Sequence, residues 1–173
     1  MALLLSDAVR ADELAAWRDR AEQHYRAWLA VDAREVSTVR GGDLRVDVTG
    51  MVGWVPDLSV ARLRIAHVVV TTARPPGGLF VGYVGMRGCR LGLWVAPAPV
   101  GLGGELVFTR AGQALEAIWR VAGTGHRILA HDMDEARFRA VADYLVHVSR
   151  KRTTDQPVRM AAKADVMTAR CLG

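Results

Sequence analysis

Apolar residues recur at three- and four-residue steps near both ends of the chain and tend to alternate in its middle. Near the start, "ADELAAWRDRAEQHYRAWLAVDARE" places Leu14, Trp17, Ala21, Tyr25 and Trp28 on one stripe, the spacing of an amphipathic helix with one buried side. Asp12 and Glu13 suit its first turn, where carboxylates oppose the positive end of the helix dipole. Toward the other end, Phe138, Val141, Leu145 and Val148 mark a second amphipathic helix that runs to about Arg150. Asp132 and Glu135 stand before it in the spacing of a capping box.

Between the helices, "GGDLRVDVTGMVGWV" alternates Leu44, Val46 and Val48 with Arg45, Asp47 and Thr49, the period of a half-buried strand. Pro56 and Asp57 break it. In "DLSVARLRIAHVVVTTARPPGG" the start fits a helix capped by Asp57, whereas the β-branched run Val68 to Thr72 favours a strand; the reading leans to helix at its beginning. The glycine-rich stretch after it, with aromatic and β-branched residues between the glycines, predicts strands over Leu79–Met86 and Arg90–Ala96, turned at Arg87 and Gly88. From Glu105 to Gly123, "ELVFTRAGQALEAIWRVAG" reads as a short strand, a cap at Thr109, and a helix carrying Leu115, Ile118, Trp119 and Ala122 to a stop at Gly123.

The segment "LVFTRAGQALEAIW" resembles the turn from wing strand to long helix in MarR-type winged-helix regulators, whose pattern there is L-T-x-x-G-x-x-L. "HRILAHDMDEARFRAVADYLVHVSRK" is similar to the last, dimer-forming helix of that family, and Leu58, Ser59, Arg62 and Ile65 are similar to an earlier helix. The first helix occupies the place of the family's first dimer helix. The resemblance implies a dimeric, DNA-binding transcription regulator. Between Gly78 and Thr109, however, the chain is shorter than a helix-turn-helix with a wing, and Pro97 and Pro99 fall where the recognition helix would be.

Charge and composition alter this picture only in part. The formal net charge is +5, and 21 of the 23 basic residues are Arg. Residues 36–131 hold ten Arg against five acids and residues 150–173 hold six basic residues against two acids, so positive charge gathers in the middle and at the end, as a polyanion partner would require. Arg62, Arg64, Arg87, Arg90, Arg150, Lys151 and Arg152 are the expected nucleic-acid contacts. Trp54, Tyr83 and Trp94 are the expected lining of a ligand pocket. His126, His131, Asp132, Asp134 and Glu135 cluster in sequence, but capping accounts for the carboxylates and no H-E-x-x-H, G-x-S-x-G or G-K-[ST] signature occurs. No catalytic residue, metal or cofactor is assigned. Cys89 and Cys171 lack metal or redox spacing. Without a basic region before "MALLLSDAV" or 18 uninterrupted apolar residues, the expected place is the cytoplasm, with no membrane partner.

The sequence therefore predicts an α+β fold: a single domain over residues 1–150, with terminal amphipathic helices and a short antiparallel β-rich centre, and a basic tail over 151–173. A degenerate winged helix is the alternative. The expected function is a non-catalytic binding or regulatory module that contacts nucleic acid as a homo-oligomer. Its alternatives are a protein-interaction or assembly subunit, and a small-molecule enzyme with a pocket between sheet and helices.

Overall fold

A strand that is covered on both faces needs apolar residues at consecutive positions, and this condition governs the centre of the molecule. The computed structural model describes residues 2–32, 44–48, 51–71 and 77–169, with side chains for 8–32, 54–71 and 77–152. Helix α1 (Ala2–Ala30) is followed by a hairpin of β1 (Leu44–Val48) and β2 (Met51–Val55), then a 3-10 turn at Ser59–Ala61. Six strands come next: β3 (Leu63–Thr71), β4 (Gly78–Gly85), β5 (Arg90–Pro97), β6 (Val107–Ala111), β7 (Ala114–Val121) and β8 (Thr124–His131). Helix α2 (Glu135–Ala169) ends the described chain. The fold is α+β.

The six strands form one antiparallel sheet in the order β3-β4-β5-β8-β7-β6. Two three-stranded meanders thus lie side by side, joined where β5 pairs β8 from Arg90↔His131 to Pro97↔Thr124. Tight turns make this arrangement local. Ala122 and Gly123 have φ of 44° and 80° between the paired Val121 and Thr124, the two left-handed positions of a type I′ hairpin.

Alternation then sends side chains to two separate cores. Leu79, Val81 and Tyr83 of β4, Leu91, Leu93 and Val95 of β5, Leu115, Ala117 and Trp119 of β7, and Ile128 and Ala130 of β8 share one face with Phe138, Val141, Ala142 and Leu145 of α2. Phe80, Trp94, Ile118 and Leu129 share the other with Trp17, Ala21, Tyr25 and Trp28 of α1. Glycines let α1 lie close. A Cβ at Gly82 would come within 2.8 Å of the Trp28 ring, one at Gly92 within 2.6 Å of Tyr25, and one at Gly125 within 2.9 Å of Trp17. Each α1 aromatic therefore sits where the sheet has no side chain.

The helix stripe of α1, strands β1, β4 and β5, and the buried Phe138, Val141 and Leu145 of α2 agree with the sequence pattern. Four expected elements differ. Residues 105–123 are not a strand and a helix capped by Thr109 but the β6–β7 hairpin, turned at Gly112 and Gln113. The contiguous apolar run Ala117-Ile118-Trp119 imitates helical spacing because both faces of β7 are covered. For the same reason "HRILAH" is β8 and not the beginning of the last helix. The helix expected after Asp57 is one 3-10 turn, with the Asp57 carboxylate accepting from the Ser59 N–H at 2.8 Å. At the start of α2 the cap is Asp134, which accepts from Arg137 N–H at 2.9 Å, while Asp132 has a φ of 56° in the preceding turn.

Among the described residues no helix lies between Leu63 and Asp134. The alternative of a winged helix thus has no helix-turn-helix to carry it, since the prolines and glycines of 78–104 lie in strands and turns. The segment expected as a tail from residue 151 continues α2. Cys171 lies outside the described residues.

Replacing Gly92 by alanine drives a methyl group into Tyr25 and Phe80, so it is expected to lower stability by about 1–3 kcal/mol. Gly88→Ala, in open space at a left-handed position, is expected to cost only about 1 kcal/mol. Urea midpoints of the two variants check the difference.

Candidate functional site

The polar residues placed among these apolar strands show where the fold has requirements beyond packing. Arg127 of β8 is 7 % exposed, beneath α1. Its Nε donates to Glu116 Oε1 of β7 at 2.6 Å, its Nη2 lies 3.6 Å from Glu22 Oε2 of α1, and its Nη1 donates to the Arg18 carbonyl. Arg18 in turn lies 3.7 Å from Glu116. A buried charge surrounded in this way fixes how α1 sits over the sheet, because any slip leaves a desolvated ion unpaired.

Arg90 performs a second positioning role. Its guanidinium donates to the carbonyls of Trp28 at 2.6 Å, Leu29 at 2.9 Å and Val31 at 2.7 Å, and lies 4.7 Å from the centre of the Trp28 ring. These are the orphan carbonyls at the end of α1, where a cation also meets the negative end of the dipole. Tyr25 donates its hydroxyl to the Arg90 carbonyl at 3.2 Å. Burial raises the Tyr25 phenol far above its ordinary value.

Four of the five histidines stack on aromatic rings. His24 of α1 lies 5.2 Å from Trp94 and 5.7 Å from Phe80; His67 of β3 lies 5.4 Å from Trp28 and 6.1 Å edge-on from Phe80. Desolvation holds His24 below its ordinary value, with the nearby His67 adding to the shift, and desolvation holds His67 down as well. His131 stacks on Tyr25. On the opposite face His126 stacks on Trp119 at 5.0 Å, 5° from parallel, and burial pushes it down to about 4.

The expected site residues do not assemble. Arg62, Arg64 and Arg87 are exposed at one end of the sheet, where Leu63 pairs with Gly85. Arg90 is committed to the end of α1. Arg150 donates to the Gly104 carbonyl at 3.2 Å and Arg152 lies 4.2 Å from the centre of the Trp54 ring, so these two and Lys151 form a separate group along α2. The expected pocket also divides: Tyr83 is buried on the α2 face, donating to the Pro56 carbonyl at 2.9 Å, whereas Trp94 is buried on the α1 face. Tyr83 and Trp94 have opposite parity in their paired strands, so the sheet itself separates them. Of the sequence cluster, His131 ends β8 and Glu135 begins α2.

Glu135 is held below the usual carboxylate range by hydrogen bonds from Arg139 and Arg110. These residues, with Phe108 and Phe138, line a shallow, open depression beside β6. Among the described residues no group of three His, Cys, Asp or Glu side chains could hold a metal, and no helix is long and apolar enough to cross a membrane.

The sheet has two open edges among the described residues, β3 and β6. Strand β6 has five residues and is flanked by Arg110 and Arg139, which guard it with charge. Strand β3 has nine residues and carries no charge after Arg64. Val68 and Val70 stand 37 % and 38 % exposed on one side of it. The irregularity at Ala66 sits between Ile65 and His67, leaving Val68 to Thr71 regular. Sequence reasoning marked this run as β-branched but could not see that it lies at an edge.

No protein-family model, curated protein or solved structure matches the chain.

Arg127→Ala leaves Glu116 and Glu22 without their shared cation, and a loss of about 3 kcal/mol is expected; Arg127→Met with Glu116→Gln is expected to recover much of it. Thermal unfolding of the single and double variants decides this. Because folding lowers the His126 value, its neutral form stabilises the protein fully above pH 6.5, and that contribution is lost as pH falls toward 4. The loss is on the order of 2–3 kcal/mol after allowance for solvent screening, and His126→Phe should flatten the stability profile between those values.

Proposed function

We propose that the chain is a non-catalytic binding module that assembles with a second copy of itself through the open edge of β3. The observation that carries this reading is the nine-residue edge with Val68 and Val70 exposed and no charge beyond Arg64. Edge strands of this kind offer unpaired N–H and C=O groups to another strand, and monomeric proteins usually blunt them. The sequence about Val69 also suits a two-fold axis. Antiparallel pairing centred there sets Val68 of one copy opposite Val70 of the other, so that both exposed valines gain an apolar cross-strand neighbour. The six-stranded sheet would then continue across both copies.

Sedimentation of the full chain at micromolar concentration is expected to show a dimer. Val68→Lys with Val70→Lys is expected to give a folded monomer, while Thr109→Lys on the opposite edge leaves the dimer intact. A wild-type monomer at high concentration, or a dimer that survives the valine changes and dissociates with Thr109→Lys, overturns the reading.

A second reading, contact with a nucleic-acid backbone, draws support from the exposed Arg62, Arg64 and Arg87 at one end of the sheet. Three phosphate contacts would make log K fall with log salt at a slope of about −3 on duplex DNA. Binding to a duplex oligonucleotide that is absent at low salt, or unchanged by salt, removes it.

A further inference from the structure

The two helices are attached to the sheet by unlike seams. Under α2 the buried indole of Trp119 donates to Ser149 Oγ at 3.2 Å, and Ser149 donates onward to the Val146 carbonyl at 3.0 Å. Under α1 the indole N–H groups of Trp17, Trp28 and Trp94 are buried with no hydrogen-bond partner in the protein. Each such donor forfeits about 1–3 kcal/mol of what its burial would otherwise contribute. The α1 seam also holds three imidazoles: His131 on Tyr25, and the adjoining His24 and His67, both in contact with Phe80 and stacked on Trp94 and Trp28 respectively.

We propose that α1 is an acid-released strap: protonation of His24 and His67 lifts the C-terminal half of α1 from β3, β4 and β5 while the sheet and α2 remain folded.

Charge around the pair favours release. From α1 come Arg20, one turn before His24, and Glu22, which is bound to Arg26 at 3.1 Å and lies 3.6 Å from Arg127. Asp32 follows the helix. From β3 comes Arg64, from β5 comes Arg90, 4.7 Å from the centre of the Trp28 ring, from β8 comes His131, stacked on Tyr25, and β4 contributes no charged residue. A second imidazolium would thus be added beside the first, in a seam where Arg90 already lies over Trp28. Attraction of an imidazolium to an indole face offsets part of the cost, but burial sets the direction for both histidines, and His67 adds to it at His24. Both neutral forms favour the docked helix above pH 6.5, and this contribution is lost as pH falls below it. Helices that open below the global free energy are those with the weakest seams. Release would uncover Trp28, Phe80 and Trp94 beside β3, so acidity would switch on an apolar surface.

Hydrogen exchange of the full chain at pH 7.5 and pH 5.0, corrected for intrinsic rates, tests the strap. Exchange over residues 14–30 is expected to rise by about tenfold or more at pH 5.0 relative to amides of β4, β5 and β8, and to reverse at pH 7.5. His24→Gln and His67→Gln should each reduce this pH response, and His126→Gln should leave it in place. Should either His24→Gln or His67→Gln fail to fold, the other single variant and the wild-type pH profile still decide. Unchanged α1 protection, simultaneous loss in α1 and the sheet, or a wild-type response in both glutamine variants overturns the proposal. The readout is intramolecular and stands whether or not the chain self-associates.

Discussion

The close seating of α1 on a sheet with three side-chain gaps is the constraint on which the rest depends. Trp17, Tyr25 and Trp28 occupy the space above Gly125, Gly92 and Gly82, so the helix can approach only where those strands are paired in their observed register. A one-residue slip in β4 or β5 would place Val81 or Tyr83, or Leu91 or Leu93, under the helix in place of a glycine. The glycines therefore act as a mould for one helix. This accounts for a β-rich centre that contains more glycine than strands usually tolerate.

Covering both faces has a further consequence for polar groups. Arg127 and Arg90 cannot reach water easily from beneath α1, and each is used to fix that helix: one through Glu116 and Glu22, the other through the last carbonyls. Positive charge that suggested a polyanion partner is in these two cases consumed within the fold. The sheet itself divides the expected aromatic pocket, with Tyr83 packed under α2 and Trp94 under α1. What remains accessible is the rim of the sheet, with one guarded edge and one unguarded edge.

The seams differ in the quality of their hydrogen bonding, and this difference connects packing with response. Trp119 has Ser149 as acceptor, whereas three indoles under α1 have none. The histidines among them add a dependence on proton concentration to an attachment already less favourable than its apolar contact suggests. Edge strand and strap also adjoin, since His67 belongs to β3 and stacks on Trp28 of α1. The proposed assembly edge and the proposed strap thus lie in the same part of the molecule.

Periodicity alone located α1, α2, β4 and β5, because each of these has either a single buried stripe or glycine punctuation at its ends. It failed at β7 and β8, where burial on two faces makes Ala117-Ile118-Trp119 and Ile128-Leu129-Ala130 continuous and removes the alternation that identifies a strand. Residue types named Arg62, Arg64, Arg87 and the aromatic trio, but only strand pairing could say that Tyr83 and Trp94 lie on opposite faces. The chain's local chemistry dictates the two terminal helical stripes and which residues seek burial. Strand order, which comes from pairings between segments distant in sequence, dictates that Arg90 caps a helix more than sixty residues earlier, that His24 meets His67, and that Val68 and Val70 face an open edge.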